Sequence, residues 1–244
     1  MTEDFVFFPD ANVVIAASIF GYIGPLKQPA QHIHYDDSRG LLSRLCTLQH
    51  SSNPQLIGYI SPIAESEARR EINNAIRAVL SKYWKDQKID DDKKEQLADS
   101  IETFFSKSST KLEEFLSLLC REPPNLLIRD KAKKQLRYEF DNLNPKTKPP
   151  KHHKLGEIIE KLDGIPFIQA QTYVPGIEDT DLEILADAYA IGRVRLKKTT
   201  YVASLNTRHM ASKVASKMLE EKFSLIVRTP DIVLNAVNKR YGRP

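Results

Sequence analysis

With 244 residues, 41% of them hydrophobic, the chain can bury a full core and suits one large domain or one domain carrying an insertion. Its 36 basic and 32 acidic residues leave a formal charge of +4, which permits a nucleic-acid partner without requiring one. Two cysteines are too few for a disulfide scaffold, no apolar run approaches the roughly 18 residues of a membrane span, and the acidic start Met1-Thr2-Glu3-Asp4 does not read as a secretory signal. A soluble cytoplasmic protein with no membrane partner is expected, with Cys46 and Cys120 as reduced thiols among leucines.

The first element is Phe5-Val6-Phe7-Phe8-Pro9, which runs into Asp10-Ala11-Asn12-Val13-Val14-Ile15. Consecutive large apolar residues read as a short strand buried on both faces, the pattern of a central strand in a parallel sheet. Asp10 then stands at its carboxyl end, the edge where open α/β sheets bind ligands. A carboxylate placed there is a metal ligand, a nucleophile or a helix cap, and the strand alone leaves the three open.

Asn12 to Phe20 is helix-like and dissolves at Gly21 into a loop reaching Asp37. His32, His34, Asp36 and Asp37 in that loop read as exposed loop residues rather than a metal cluster. Ser38 to Gln49 carries leucines at 41, 42, 45 and 48, one helical face. Gln55 to Ile60 reads as a second strand, and Ser61-Pro62 as the cap and first residue of a long helix. On that helix Glu65 falls within the stripe of Ala68, Ile72, Ala75, Ile76, Val79 and Leu80, whereas Glu67 lies nearly opposite. An acid aimed inward needs a partner, because a buried carboxylate is unstable unless paired or bound to a cation.

From about 86 to 160 the spacing of leucine and phenylalanine predicts a mainly helical insertion, broken at Pro123-Pro124 and Asn144-Pro145. Lys146, Lys148, Lys151 and Lys154 follow one another with no acid between them, a composition suited to a phosphate backbone. Ile165 to Ile168 reads as an edge strand, where Pro166 is tolerated. The stretch from Pro175 reads as a turn, a helix capped at Asp179 or Thr180, and a stop at Gly192. Asp181 lies in the middle of the stripe of Ile184, Leu185, Ala188 and Ile191, with Glu183 and Asp187 facing away. Thr199 to Ala203 is a further strand that ends in Ser204-Leu205-Asn206-Thr207, before a helix from Arg208 to Glu221. Phe223 to Val227 is the last strand, and Thr229-Pro230 opens the last helix. Strands alternating with helices predict an α/β fold, a three-layer α/β/α sandwich on a mostly parallel sheet of about five strands.

Asp10, Glu65 and Asp181 are each placed at a strand end or inward at a helix start, and a crevice of three acids suits hard cations such as Mg²⁺ or Mn²⁺. The initial strand with Asp10-Ala11-Asn12, the helix start Ser61-Pro62-Ile63-Ala64-Glu65, the run Asp181-Leu182-Glu183-Ile184-Leu185-Ala186-Asp187-Ala188 and the ending Val227-Arg228-Thr229-Pro230-Asp231 resemble the PIN-domain family of metal-dependent ribonucleases. The resemblance covers both ends of the chain and leaves residues 86–160 outside it. It implies one PIN-like domain over 1–244 and an endoribonuclease with an Mg²⁺ or Mn²⁺ site on Asp10, Glu65 and Asp181. Asn12, Ser204 and Asn206 would orient that site. RNA, a second copy of the chain and an antitoxin-like inhibitor protein are the partners it brings into view.

The family usually carries a further aspartate where this chain has Asn206. An amide there can offer its carbonyl oxygen to an ion but removes one negative charge, which is expected to weaken a second ion. The competing expectation is a PIN-like module that binds RNA or protein with weakened or absent catalysis. A haloacid-dehalogenase-type phosphatase with Asp10 as nucleophile is disfavoured, since Asn12 cannot serve as the general acid or base two residues on.

Overall fold

Strand β1 (Phe5–Pro9) runs between two parallel neighbours, β4 (Leu56–Gly58) and β5 (Thr199–Ala203), and β6 (Leu225–Arg228) pairs with β5, giving the order β4-β1-β5-β6. The computed structural model describes residues 5–24, 28–49, 56–143, 177–207 and 209–242. Val6 and Phe8 point into one layer and Phe7 into the other, so this strand is apolar at every position rather than at alternate ones.

One face of the sheet is covered by α1 (Ala11–Ser18), α2 (Tyr35–Gln49), α3 (Pro62–Asp86), α5 (Ala98–Ser117) and α9 (Pro230–Tyr241), which pack Val13, Leu41, Ile72, Leu112 and Val233 around Phe7 and Leu56. The opposite face is covered by α6 (Leu126–Leu143), α7 (Asp179–Ala188) and α8 (Lys213–Phe223), whose Leu136, Leu185 and Leu219 meet Val6, Phe8, Val202 and Val227. The fold is therefore α/β with helices on both faces of a parallel sheet. A two-stranded antiparallel ribbon, β2 (Phe20–Gly21) with β3 (Ala30–Gln31), follows α1, and the short α4 (Asp91–Gln96) leads into α5.

Four parallel strands form the sheet among the described residues, not about five; the strand expected at 165–168 lies outside them. The stretch expected as an insertion is helical as far as Leu143, beyond which it too lies outside. Its helices are part of the layers: Phe104, Leu112 and Leu116 belong to the first core, and Ala132, Leu136 and Phe140 to the second. No helix among the described residues is long and apolar enough to cross a membrane.

Two local expectations are corrected. Gly192 does not stop α7: the chain continues as a π-helical segment, Tyr189–Arg195, and a Cβ on Gly192 would clash with the Thr200 side chain. Glycine is needed there for close approach to β5. The helix expected from Arg208 begins instead at Lys213, with the Ser212 hydroxyl accepting from Ala215 N. Ahead of that helix Ala211 N donates to Asn206 O and Ser212 N to His209 O, a turn that carries polar side chains back over the end of β5.

Candidate functional site

Asp10 follows directly on β1, with its backbone extended (φ −69°, ψ 155°) and its N–H donating to Ala203 O at 2.9 Å. It is the N-cap residue of α1, yet its side chain makes no capping bond. The carboxylate is instead turned into the crevice at the carboxyl edge of the sheet, where it is 2% exposed. Burial foremost, then repulsion from Asp181, raises its pKa from 3.8 to about 7; the Ser204 hydroxyl and the Ala11 N–H act against the rise, and Glu67 adds to it.

Asp181 lies in the first turn of α7, also buried, and its pKa rises from 3.8 to about 7 through burial and the charges of Glu178 and Glu67. Polar groups from the end of β5 tie the two aspartates together. The Ser204 hydroxyl donates to Asp10 Oδ2 at 2.9 Å and accepts from Asn206 N at 3.0 Å. Asn206 Nδ2 donates to Asp181 Oδ2 at 3.2 Å. His209 closes the chain, its N–H donating to Asn206 Oδ1 at 3.1 Å and its Nδ1 lying 3.1 Å from Asn206 Nδ2 and 3.5 Å from Asp181 Oδ2.

This geometry alters the sequence-based assignment at several positions. Asn206 presents its amide nitrogen to Asp181 and has its oxygen engaged by the His209 backbone, so it acts as a donor to an acid, not as an oxygen ligand. Asn12 is exposed on the first turn of α1, and no hydrogen bond among the described residues links it to the acids. His209 was not anticipated, because the turn that brings it back was read as helix.

Glu65 is not directed at the aspartates. Its two oxygens accept from Arg69 and Arg121, each at 2.8 Å, and the Arg121 bond foremost holds its carboxyl below the usual range. Glu67 is the α3 carboxylate whose charge reaches both Asp10 and Asp181, and its own pKa is raised, mainly by burial. The apolar stripe of α3 does point into the first core, as the spacing indicated, but Glu65 does not follow it inward: it is held by Arg69 and Arg121 at the surface.

Asp187 does not face away either. It is 1% exposed, accepts from the Ser61 hydroxyl at 2.6 Å and pairs with Arg129 Nε at 2.8 Å. Helix α7 is buried nearly all round, so it has no outward face for periodicity to find. Arg129 and Lys133 also hold Glu183, at 2.9 and 2.7 Å, fastening α6 to α7.

Lys146, Lys148, Lys151 and Lys154 lie outside the described residues. His32 Nδ1 accepts from His34 N at 3.2 Å, a local loop contact. Among the described residues no three His, Cys, Asp or Glu side chains stand, as they are, in the spacing of a metal site. The site is thus two buried aspartates within the charge of Glu67, bonded to Ser204 and Asn206, with His209 beside Asp181. Among the described residues, no lysine or arginine pairs with Asp10 or Asp181. Buried acids without a counter-charge fit a hard divalent cation in donor chemistry. Comparison with family models, with curated proteins and with solved structures returns no match.

Proposed function

We propose that the protein is a PIN-like, Mg²⁺- or Mn²⁺-dependent endoribonuclease whose ion is held by Asp10 and Asp181 with Glu67, not Glu65, as the third acid. The observation that carries this reading is the pair of aspartates buried at the carboxyl edge of a parallel sheet, both raised to about 7. A fold does not retain such a pair for stability, since each destabilises the other. Raised carboxyls cluster at functional sites. A bound cation would supply Lewis acidity toward a phosphodiester and a hydroxide nucleophile at neutral pH. The chain's own part is to hold Asp10 through Ser204, to hold Asp181 through Asn206, and to keep α7 seated through Asp187 and Arg129.

RNA is the proposed substrate, with Lys146, Lys148, Lys151 and Lys154 adding backbone contacts. The proposed compartment is the cytoplasm, in keeping with a chain that has only two cysteines. A second copy of the chain or an antitoxin-like inhibitor as partner rests on the resemblance alone.

The alternative, a PIN-like module that binds RNA or protein without cutting, draws on Asn206, which brings no negative charge and turns a nitrogen to the crevice. Incubating the purified protein with single-stranded and structured RNA in Mg²⁺, in Mn²⁺ and in chelator decides between them. Cleavage that requires the ion and disappears in Asp10→Asn supports the nuclease; RNA binding without cleavage in any metal supports the module.

A further inference from the structure

Asn206 and His209 grip each other at both ends. The His209 backbone N–H engages Asn206 Oδ1 and so sets the orientation of the carboxamide. Its two amide hydrogens then have two acceptors, Asp181 Oδ2 at 3.2 Å and His209 Nδ1 at 3.1 Å. A proton on Nδ1 would oppose the amide hydrogens, donor against donor, so the ring proton belongs on Nε2. No hydrogen bond among the described residues uses Nε2. The side chain is 19% exposed, beside Asp181.

We propose that His209 Nε2–H is a substrate contact, donating to a non-bridging phosphate oxygen of the RNA strand that the acid crevice receives. The proposal rests on the ribonuclease reading above. An acidic crevice repels phosphate, and a lysine or arginine at its lip would be drawn onto Asp181. A ring whose Nδ1 is occupied by Asn206 cannot collapse in that way, and its remaining N–H is held at a constant direction. Ser204 has spent its donor on Asp10, and Asn206 its two on Asp181 and His209 Nδ1, which leaves Nε2 as the uncommitted donor among these side chains.

Two replacements separate contact from scaffold in the full chain. His209→Asn keeps a polar group near the position of Nδ1, where Asn206 needs an acceptor, and deletes Nε2. His209→Gln returns an amide nitrogen near the position of Nε2. Melting temperature, Mn²⁺ affinity by calorimetry, affinity for a fluorescent single-stranded RNA by anisotropy, and KM and kcat in Mn²⁺ are read for each. His209→Asn is expected to keep the melting temperature and Mn²⁺ affinity of the wild type while RNA affinity falls and KM rises about tenfold, with kcat little changed; His209→Gln recovers most of the loss. Unaltered RNA affinity in His209→Asn overturns the proposal. So does an equal loss in both variants accompanied by weaker Mn²⁺ binding, which makes the residue a scaffold. Because anisotropy does not require cleavage, a wild type that binds RNA without cutting it, and whose binding falls in Asn and returns in Gln, retires the ribonuclease reading and keeps the contact. A wild type that binds no RNA ends both.

Discussion

Asn206 turns its amide nitrogen, not its oxygen, toward Asp181, at 3.2 Å. Where a carboxylate would add repulsion, the amide donates a hydrogen bond to an acid that has Glu178 and Glu67 for neighbours in charge. Asn206→Asp therefore exchanges a favourable contact for an unfavourable one in the metal-free protein. A lower melting temperature in chelator is expected, together with a larger rise on adding Mn²⁺, since oxygen ligation strengthens with each carboxylate. If the protein is a nuclease, the variant cleaves faster at sub-saturating Mn²⁺; if it is a binding module, it loses stability and still fails to cut. A variant that melts and cleaves as the wild type does would remove position 206 from the site.

The pair of raised aspartates makes a prediction about pH. Both move from 3.8 to about 7 on folding, so between those values the native state holds more protons than the unfolded chain. Stability in chelator should accordingly be greatest near pH 4 and fall as pH rises through 7, by on the order of 4 kcal/mol for one such carboxyl. Mn²⁺ competes with those protons, so its stabilising effect should grow over the same interval. Asp10→Asn should flatten the profile and raise the melting temperature at pH 8. Thermal melts at pH 5 and pH 8, with and without Mn²⁺, test this; a chelator melt equally stable at both would show that the two acids do not repel.

Glu65 and Glu67 should separate cleanly. Glu65→Gln weakens contacts with Arg69 and Arg121 at the protein surface, for which a change within about 1 kcal/mol is expected, with Mn²⁺ binding intact. Glu67→Gln removes a charge that Asp10 and Asp181 both sense, so it should reduce Mn²⁺ affinity while leaving the metal-free fold as stable or more so. The opposite ranking in a calorimetric titration would restore Glu65 as the third acid.

Asp187 is expected to matter for stability and not for the ion. Asp187→Ala strips Arg129 of a buried partner and leaves the Ser61 hydroxyl without its acceptor, a loss of about 3 kcal/mol. Chemical denaturation measures that loss. The Mn²⁺-induced shift in melting temperature should survive in the variant, and its disappearance would make Asp187 part of the centre.

How much of this was legible in the chain follows from the range of each signal. The apolar run before Asp10 is a local property, and it sufficed to place that carboxylate at the carboxyl end of a central parallel strand, because only burial on both faces tolerates consecutive large apolar side chains. The cap at Ser61-Pro62 and the strand Thr199–Ala203 were legible for the same reason, as were the helices of both layers up to Leu143. Periodicity locates the core-facing side of a helix and nothing more. It put Glu65 inward, whereas the folded chain holds it at the surface on Arg69 and Arg121, and only tertiary packing makes Glu67 the acid of α3 whose charge reaches Asp10 and Asp181. On α7, buried nearly all round, the same periodicity assigned Asp187 to a solvent face that does not exist. The turn that returns His209 depends on Ala211 N donating to Asn206 O and Ser212 N to His209 O, which composition does not announce, and through it tertiary structure alone joined Asn206 and His209 to Asp181. Residue types and local burial set which carboxylates could serve; the packing of helix ends around one edge of the sheet decided which of them meet.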